Sequence, residues 1–158
     1  MQTQVNEYME KGLAGQLADI GNHDIITRAN ASGGTIPFGV FVTKGANEGE
    51  AMLPDATGEV TGLVGLGVVG RSHTQPQGEG YADGDPMPVI KKGRVWVPVE
   101  DAVTAETAAF VRFVAAGAEQ LGAFRSDADG TDAVALPGAK FVSDAVAGEL
   151  ALLDLNLP

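Results

Sequence analysis

The stretch that most constrains the fold is residues 87–100, Met-Pro-Val-Ile-Lys-Lys-Gly-Arg-Val-Trp-Val-Pro-Val-Glu. Val95, Val97 and Val99 fall on one face of a period-two strand, with Trp96, Pro98 and Glu100 on the other. This is the alternation of a half-buried strand. Gly93 tolerates positive φ, so Lys92-Gly93 reads as a reversal that folds Val89-Ile90 back on Val95-Trp96 as a hairpin. Pro98 offers no N–H to a ladder, which places the second run at a sheet edge or a bulge. An edge strand with one apolar side needs a cover. Trp96, the single tryptophan, is the natural packing anchor there.

Composition extends this to the whole chain. With 158 residues, one domain or one domain with an arm is expected. The 22 glycines are about twice the usual share, which implies many tight turns. Twenty-one acidic against ten basic residues give a net charge of −11. That balance opposes broad attraction to nucleic acid or an anionic membrane. Without cysteine there are no disulfides and no thiolate metal sites, and His23 and His73 are the only imidazoles. The N-terminal residues lack a basic and apolar leader pattern, and no run approaches ~18 apolar residues, so a soluble, non-exported protein is expected.

Residues 1–34 are rich in Gln, Asn and Gly and show no sustained alternation. They read as an extended N-terminal arm, with residues 35–158 as the β domain. A short helix from an Asn6 cap through Glu10 is interrupted by Gly12 and Gly15, leaving less than a self-supporting length. Asn30-Ala31-Ser32 matches a glycosylation sequon and is read as an ordinary turn before Gly33-Gly34. From Thr35 onward, short β-rich runs alternate with Gly, Asp, Asn and Pro. Ile36, Phe38, Val40 and Val42 alternate cleanly, and the apolar run 60–69 is expected to be buried on both faces. Residues 75–85 read as a long exposed loop. Further strands are expected at 109–114, 123–126, 139–143 and 150–155. About eight short strands without a crossover helix favour an all-β fold: a single antiparallel β-barrel or a jelly-roll-like sandwich.

Several patterns hint at chemistry and fail on context. Gly65-Leu66-Gly67-Val68-Val69-Gly70 spells a dinucleotide-binding fingerprint, but Arg71-Ser72-His73-Thr74-Gln75-Pro76 cannot open the helix it needs, so the glycines read as a crowded strand. Asp127, Asp129 and Asp132 around Gly130 could attract a hard cation, yet no bidentate acid follows, and a turn with Asp side chains accepting backbone N–H bonds is expected. Ser72-His73 and His23-Asp24 are adjacent only in sequence and sit in no strand-to-helix elbow. Lys91, Lys92 and Arg94 form the one basic cluster and read as a solvated or intersubunit salt-bridge patch. No catalytic, cofactor or metal residues are assigned.

The ordered series Gly15-Gln16-Leu17-Ala18-Asp19, Asp24-Ile25-Ile26-Thr27-Arg28, Ile36-Pro37-Phe38-Gly39, Ile90-Lys91-Lys92-Gly93-Arg94-Val95-Trp96-Val97 and Phe124-Arg125-Ser126-Asp127-Ala128-Asp129-Gly130-Thr131 resembles the structural cement (capsid decoration) proteins of tailed bacteriophages. Pro137-Gly138-Ala139-Lys140-Phe141 and Ala147-Gly148-Glu149-Leu150-Ala151 extend the likeness over nearly the whole chain. One departure is Thr104-Ala105-Glu106-Thr107, where relatives often have a Pro-Gly-Asp turn.

The resemblance implies a noncatalytic β protein, made in the host cytoplasm, that sits on the outer face of the virion shell and clamps neighbouring major capsid subunits. Its partners would be the major capsid protein and copies of itself, a trimer at threefold positions or alternatively a dimer at twofold ones. No nucleic-acid, membrane or cofactor partner is expected. The residues expected to contact the shell or a neighbouring copy are Val5, Tyr8, Met9, Leu13, Leu17, Ile20, Ile25, Ile26, Trp96 and Pro98. A carbohydrate- or receptor-binding β module is the alternative, although two tyrosines, one tryptophan and six phenylalanines are a thin supply for stacking.

Overall fold

The computed structural model describes residues 11–72 and 78–158. The described residues form eleven strands, β1 (Asp24–Asn30), β2 (Ile36–Pro37), β3 (Phe41–Lys44), β4 (Glu50–Met52), β5 (Gly65–Val69), β6 (Gly80–Tyr81), β7 (Pro86–Pro98), β8 (Ala108–Arg112), β9 (Phe124–Arg125), β10 (Ala133–Phe141) and β11 (Leu150–Asn156), with one short helix, α1 (Thr57–Thr61). The fold is all-β. The large sheet runs β1-β4-β3-β5-β7-β11-β10-β8-β9, and an additional β1–β7 pairing closes its first five strands into a barrel. Every strand pairing is antiparallel except β1–β4, which is parallel.

The expected hairpin at Lys92-Gly93 does not form. β7 runs unbroken through it for 13 residues. Gly93 does take positive φ, 125°, but as part of an irregular strand: Asp24 pairs with Lys92 and Ile25 with Ile90, leaving Lys91 as an extra residue. The reason is non-local. Lys92 lies between Asp24 on one side and Asn156 on the other, and Ile90 between Ile25 and Val68. With partners on both edges, an extended chain satisfies more backbone groups than one folded back on itself. β7 is therefore central, not an edge, and Pro98 sits at the end of its ladder opposite Leu150.

The bulge also reverses which side each residue faces. Met87 and Val89 enter one core with Ile36, Phe38, Val40, Val42, Ala51, Val69 and Tyr81. Ile26 packs against the same cluster. Because β1, β3, β4, β5 and β7 all contribute, this cluster is the barrel interior. Beyond the bulge, Val95, Val97 and Val99 enter a second core with Ala109, Val111, Phe124, Phe141, Leu153 and Leu155. Phe41, Val68 and Ile90 join it from the barrel's outer wall. A parallel bridge from Val99 to Phe124 brings β9 back to β7 and completes the second unit.

The apolar run 60–69 divides. Its first part belongs to α1 and an exposed turn carrying Leu63, which is 89% exposed, whereas Val68 and Val69 are fully buried in the two different cores. The glycine fingerprint lies on β5, with no helix after it among the described residues. Gly67 has φ 149°, and a Cβ there would collide with the Ile90 carbonyl oxygen. Asn30 is 2% exposed and donates to the carbonyls of Gly34 and Tyr81, so the sequon-like triplet begins with a buried, fully engaged side chain at the end of β1 and runs into the bend before Gly34. At Thr104-Ala105-Glu106-Thr107 the left-handed residue is Glu106, φ 64°, in a turn tied by Ala105 N–H donating to Asp144 Oδ1 at 2.8 Å.

Gly67→Ala is expected to cost about 3 kcal/mol or more, because it combines a steric clash with a strained φ. Gly84→Ala shares a positive φ, 84°, but has open space around it, and should cost about 1 kcal/mol. Urea unfolding of both variants checks the contrast.

Candidate functional site

Two constructions stand out once the strands are placed. The first is a polar hub at the β8-β9 end of the large sheet, beside the second core. Arg112, the last residue of β8, is 0% exposed. Its Nε donates to both oxygens of Glu100 at 2.9 and 3.0 Å, and its Nη2 reaches Asp129 Oδ2 at 2.6 Å and Glu119 Oε2 at 2.9 Å. Arg125, on β9, donates to Glu100 Oε2 at 3.2 Å, Asp129 Oδ2 at 2.9 Å and Asp127 Oδ1 at 2.9 Å. Asp101 accepts from Ser126 N–H at 2.8 Å and from its hydroxyl at 2.5 Å. The hub ties the end of β7, β8, β9 and the loops carrying Glu119 and Asp127 into one unit.

The electrostatics follow from that geometry. Glu100, the first cause, holds Arg112 in its charged form against the cost of burial, and its pKa is raised above an already high value. The Arg112 guanidinium, helped by Arg125, holds the Asp129 carboxyl below its ordinary value. Asp127 Oδ1 also accepts Asp129 N–H at 2.9 Å, so the expected Asp-supported turn is present. The two arginines that neutralise it escaped the sequence reading. The carboxylates of Asp127 and Asp129 are engaged in ion pairs with them, and among the described residues no group of three or more His, Asp or Glu is arranged to hold a metal ion.

The second construction is the N-terminal segment on β7. Gly15 N–H donates to Trp96 O at 2.8 Å, Trp96 N–H to Gln16 O at 3.0 Å, and Ala18 N–H to Arg94 O at 2.8 Å. Residues 15–18 thus occupy the β7 edge that β11 leaves free, and β1 continues along β7 after the turn at 19–23. The sheet begins inside the segment that was expected to be arm.

This placement divides the expected contact residues. Val5, Tyr8 and Met9, with the helix expected after Asn6, lie outside the described residues, as does His73. Leu17 packs against the second core and Ile26 against the barrel core. Trp96 lies against Gly12, where a Cβ would strike its ring, and Pro98 lies against Gly39. Leu13 is 55% exposed, Ile25 41% and Ile20 99%. His23 keeps Nδ1 at 2.8 Å from Gly21 O.

A family profile described as structural cement protein (E217 gp24/Pam3 gp6) matches residues 1–156. The chain belongs to the phage structural cement protein family. A chain of the solved structure titled "The capsid of Myoviridae Phage XM1" shares the fold of this cement protein, with a TM-score of 0.71 at 19% identity, over 99% of this chain and 97% of that one. No curated protein matches. The family is structural, so the cement protein is a capsid-associated component of the virion. Its hub and strand-bound segment are then devices for making a rigid body.

Arg112→Met would leave Glu100 without its main partner and is expected to destabilise the cement protein by about 3 kcal/mol. The stabilising contribution of Asp129 carries a definite sign. Its folded pKa is depressed, so that contribution is complete above its ordinary value near 3.8 and is lost as pH falls through the folded one. Thermal melts of the native chain should therefore fall in this acid range. Asp129→Asn should flatten that part of the profile.

Proposed function

We propose that this cement protein binds the outer surface of the assembled shell and clamps neighbouring major capsid subunits, without catalysing a reaction. The observation that carries the reading is the contrast between satisfied polar groups inside and large apolar side chains at turn tips. Among the described residues no buried side-chain polar atom lacks a hydrogen-bond partner. Ile20 is 99% exposed, Leu63 89%, Val146 61% and Leu13 55%. A closed body with rigid turns and exposed apolar tips suits contact through buried area rather than reactivity. Repeated over a shell, modest contacts add through multivalency.

Copies on a symmetric lattice meet at symmetry axes, as trimers at threefold positions or dimers at twofold ones. β7 is not the surface that joins them, because both its edges are filled within the chain. Leu13, Ile20 and Ile25 are the expected contact residues left available for a partner, together with the undescribed Val5, Tyr8 and Met9.

Adding the purified protein to expanded, undecorated shells should give saturable co-sedimentation and shells that disrupt at a higher temperature. Absence of co-sedimentation at any concentration would remove the shell-binding reading. Mass measurement of the free protein separates trimer and dimer from a monomer that assembles only on the lattice.

A further inference from the structure

The charge of this protein is unevenly distributed, and the uneven part coincides with exposed apolar side chains. Residues 13–28, 87–98 and 150–156 hold four of the ten basic residues, Arg28, Lys91, Lys92 and Arg94, and three of the 21 acidic ones, Asp19, Asp24 and Asp154. Their balance is +1, so the other six basic and 18 acidic residues leave −12 on the rest of the chain. Elsewhere the basic side chains are largely engaged: Lys11 with Glu149, Lys140 with Glu106, and Arg112 and Arg125 in the hub. By contrast Lys91, Lys92 and Arg94 make no ion pair among the described residues.

Two separate hollows draw their walls from this strip, and segment 13–22 contributes to both. One, of about 370 Å³, has Leu13, Leu17, Ile25, Pro88 and Ile90 in its walls. The other, of about 410 Å³, has Lys92 and Arg94 facing Asp19 and Asp154. Asp19 is occupied with Gly21 N–H at 2.9 Å. Ile20, 99% exposed, stands on the turn whose Asp19, Gly21 and Asn22 line the second hollow. Apolar area supplies affinity, and charges at its rim select and steer the partner.

We propose that this strip is the surface that meets the shell, and that the shell presents carboxylates and apolar side chains to it. The inference rests on the shell-binding reading and adds an orientation: the Arg112 hub, with Glu119, Asp127 and Asp129, points away from the shell. A partner rich in carboxylates is repelled by the rest of the molecule and accepted here.

The test uses the full-length chain and undecorated shells of the phage that carries it. Four proteins are compared by co-sedimentation: the native chain, Lys92→Glu/Arg94→Glu, Ile20→Asp, and Lys44→Glu, an exposed cation outside the strip. Ile20 is too exposed for its replacement to disturb folding, and thermal melts verify that all four are folded. Kd should rise at least about tenfold for the double variant and for Ile20→Asp, equivalent to about 1.4 kcal/mol each, while Lys44→Glu binds like the native chain. Added salt should weaken native binding. A smaller rise in either strip variant, or an equal rise in Lys44→Glu, overturns the assignment while leaving shell binding intact. Failure of the native chain to bind removes both readings. Preferential binding to duplex DNA through the same residues would also overturn it.

Discussion

Everything in this molecule hangs on a strand that is hydrogen-bonded along both edges. β7 takes β1 and residues 15–18 on one side and β5 and β11 on the other. Its bulge at Lys91 to Gly93 sends its first apolar residues into the barrel and its last into the second core. One strand therefore forms a wall of two hydrophobic cores, and neither unit can move independently without breaking β7's ladder or its burial. A rigid body of this kind transmits force between whatever it touches. The cost is exposure to change at a few crowded points, of which Gly67 against the Ile90 carbonyl is the tightest on β7's flank.

The hub at Arg112 solves the problem left at the far end. β9 is only two residues long, and its backbone link to β7 is the Val99–Phe124 bridge with the Glu100 N–H bond to Phe124 O at 2.9 Å. A short edge of that kind frays unless side chains hold it. Glu100 follows the bridge directly and is gripped by both arginines, so strand closure and charge pairing reinforce each other. Asp129 adopts φ 44°, a left-handed conformation that Asp tolerates better than most side chains, and its carboxylate faces both guanidinium groups.

The all-β class, β8, β9 and β11 and the Asp-supported turn were legible because they depend on local patterns: period-two alternation, glycine punctuation, and short side chains beside backbone N–H groups. β10 was read only at its end, because it starts at Ala133 and runs on through Pro137-Gly138. The hairpin at Lys92-Gly93 was misread because a positive-φ glycine serves a reversal and a bulge equally well. Only partners distant in sequence, Asp24 and Asn156, decide between them. The arm was likewise judged on its own lack of periodicity, whereas residues 15–18 gain their order from Arg94 and Trp96. Arg112 carried no local sign at all, since it is buried by loops from elsewhere in the chain. The exposed Ile20 was named from sequence, but that its turn lines a hollow together with Lys92 and Arg94 emerges only from the fold.

The account makes this protein a rigid outer brace whose strip around Ile20, Lys92 and Arg94 meets the shell. Cryo-EM of decorated shells, at a resolution that separates strands, tests this most directly. The account predicts density for the chain on the outer surface, bridging two shell subunits, with Ile20, Lys92 and Arg94 at the contact and the Arg112 hub facing solvent. Density inside the shell, density touching a single subunit, or an orientation with the Arg112 hub against the shell would contradict it.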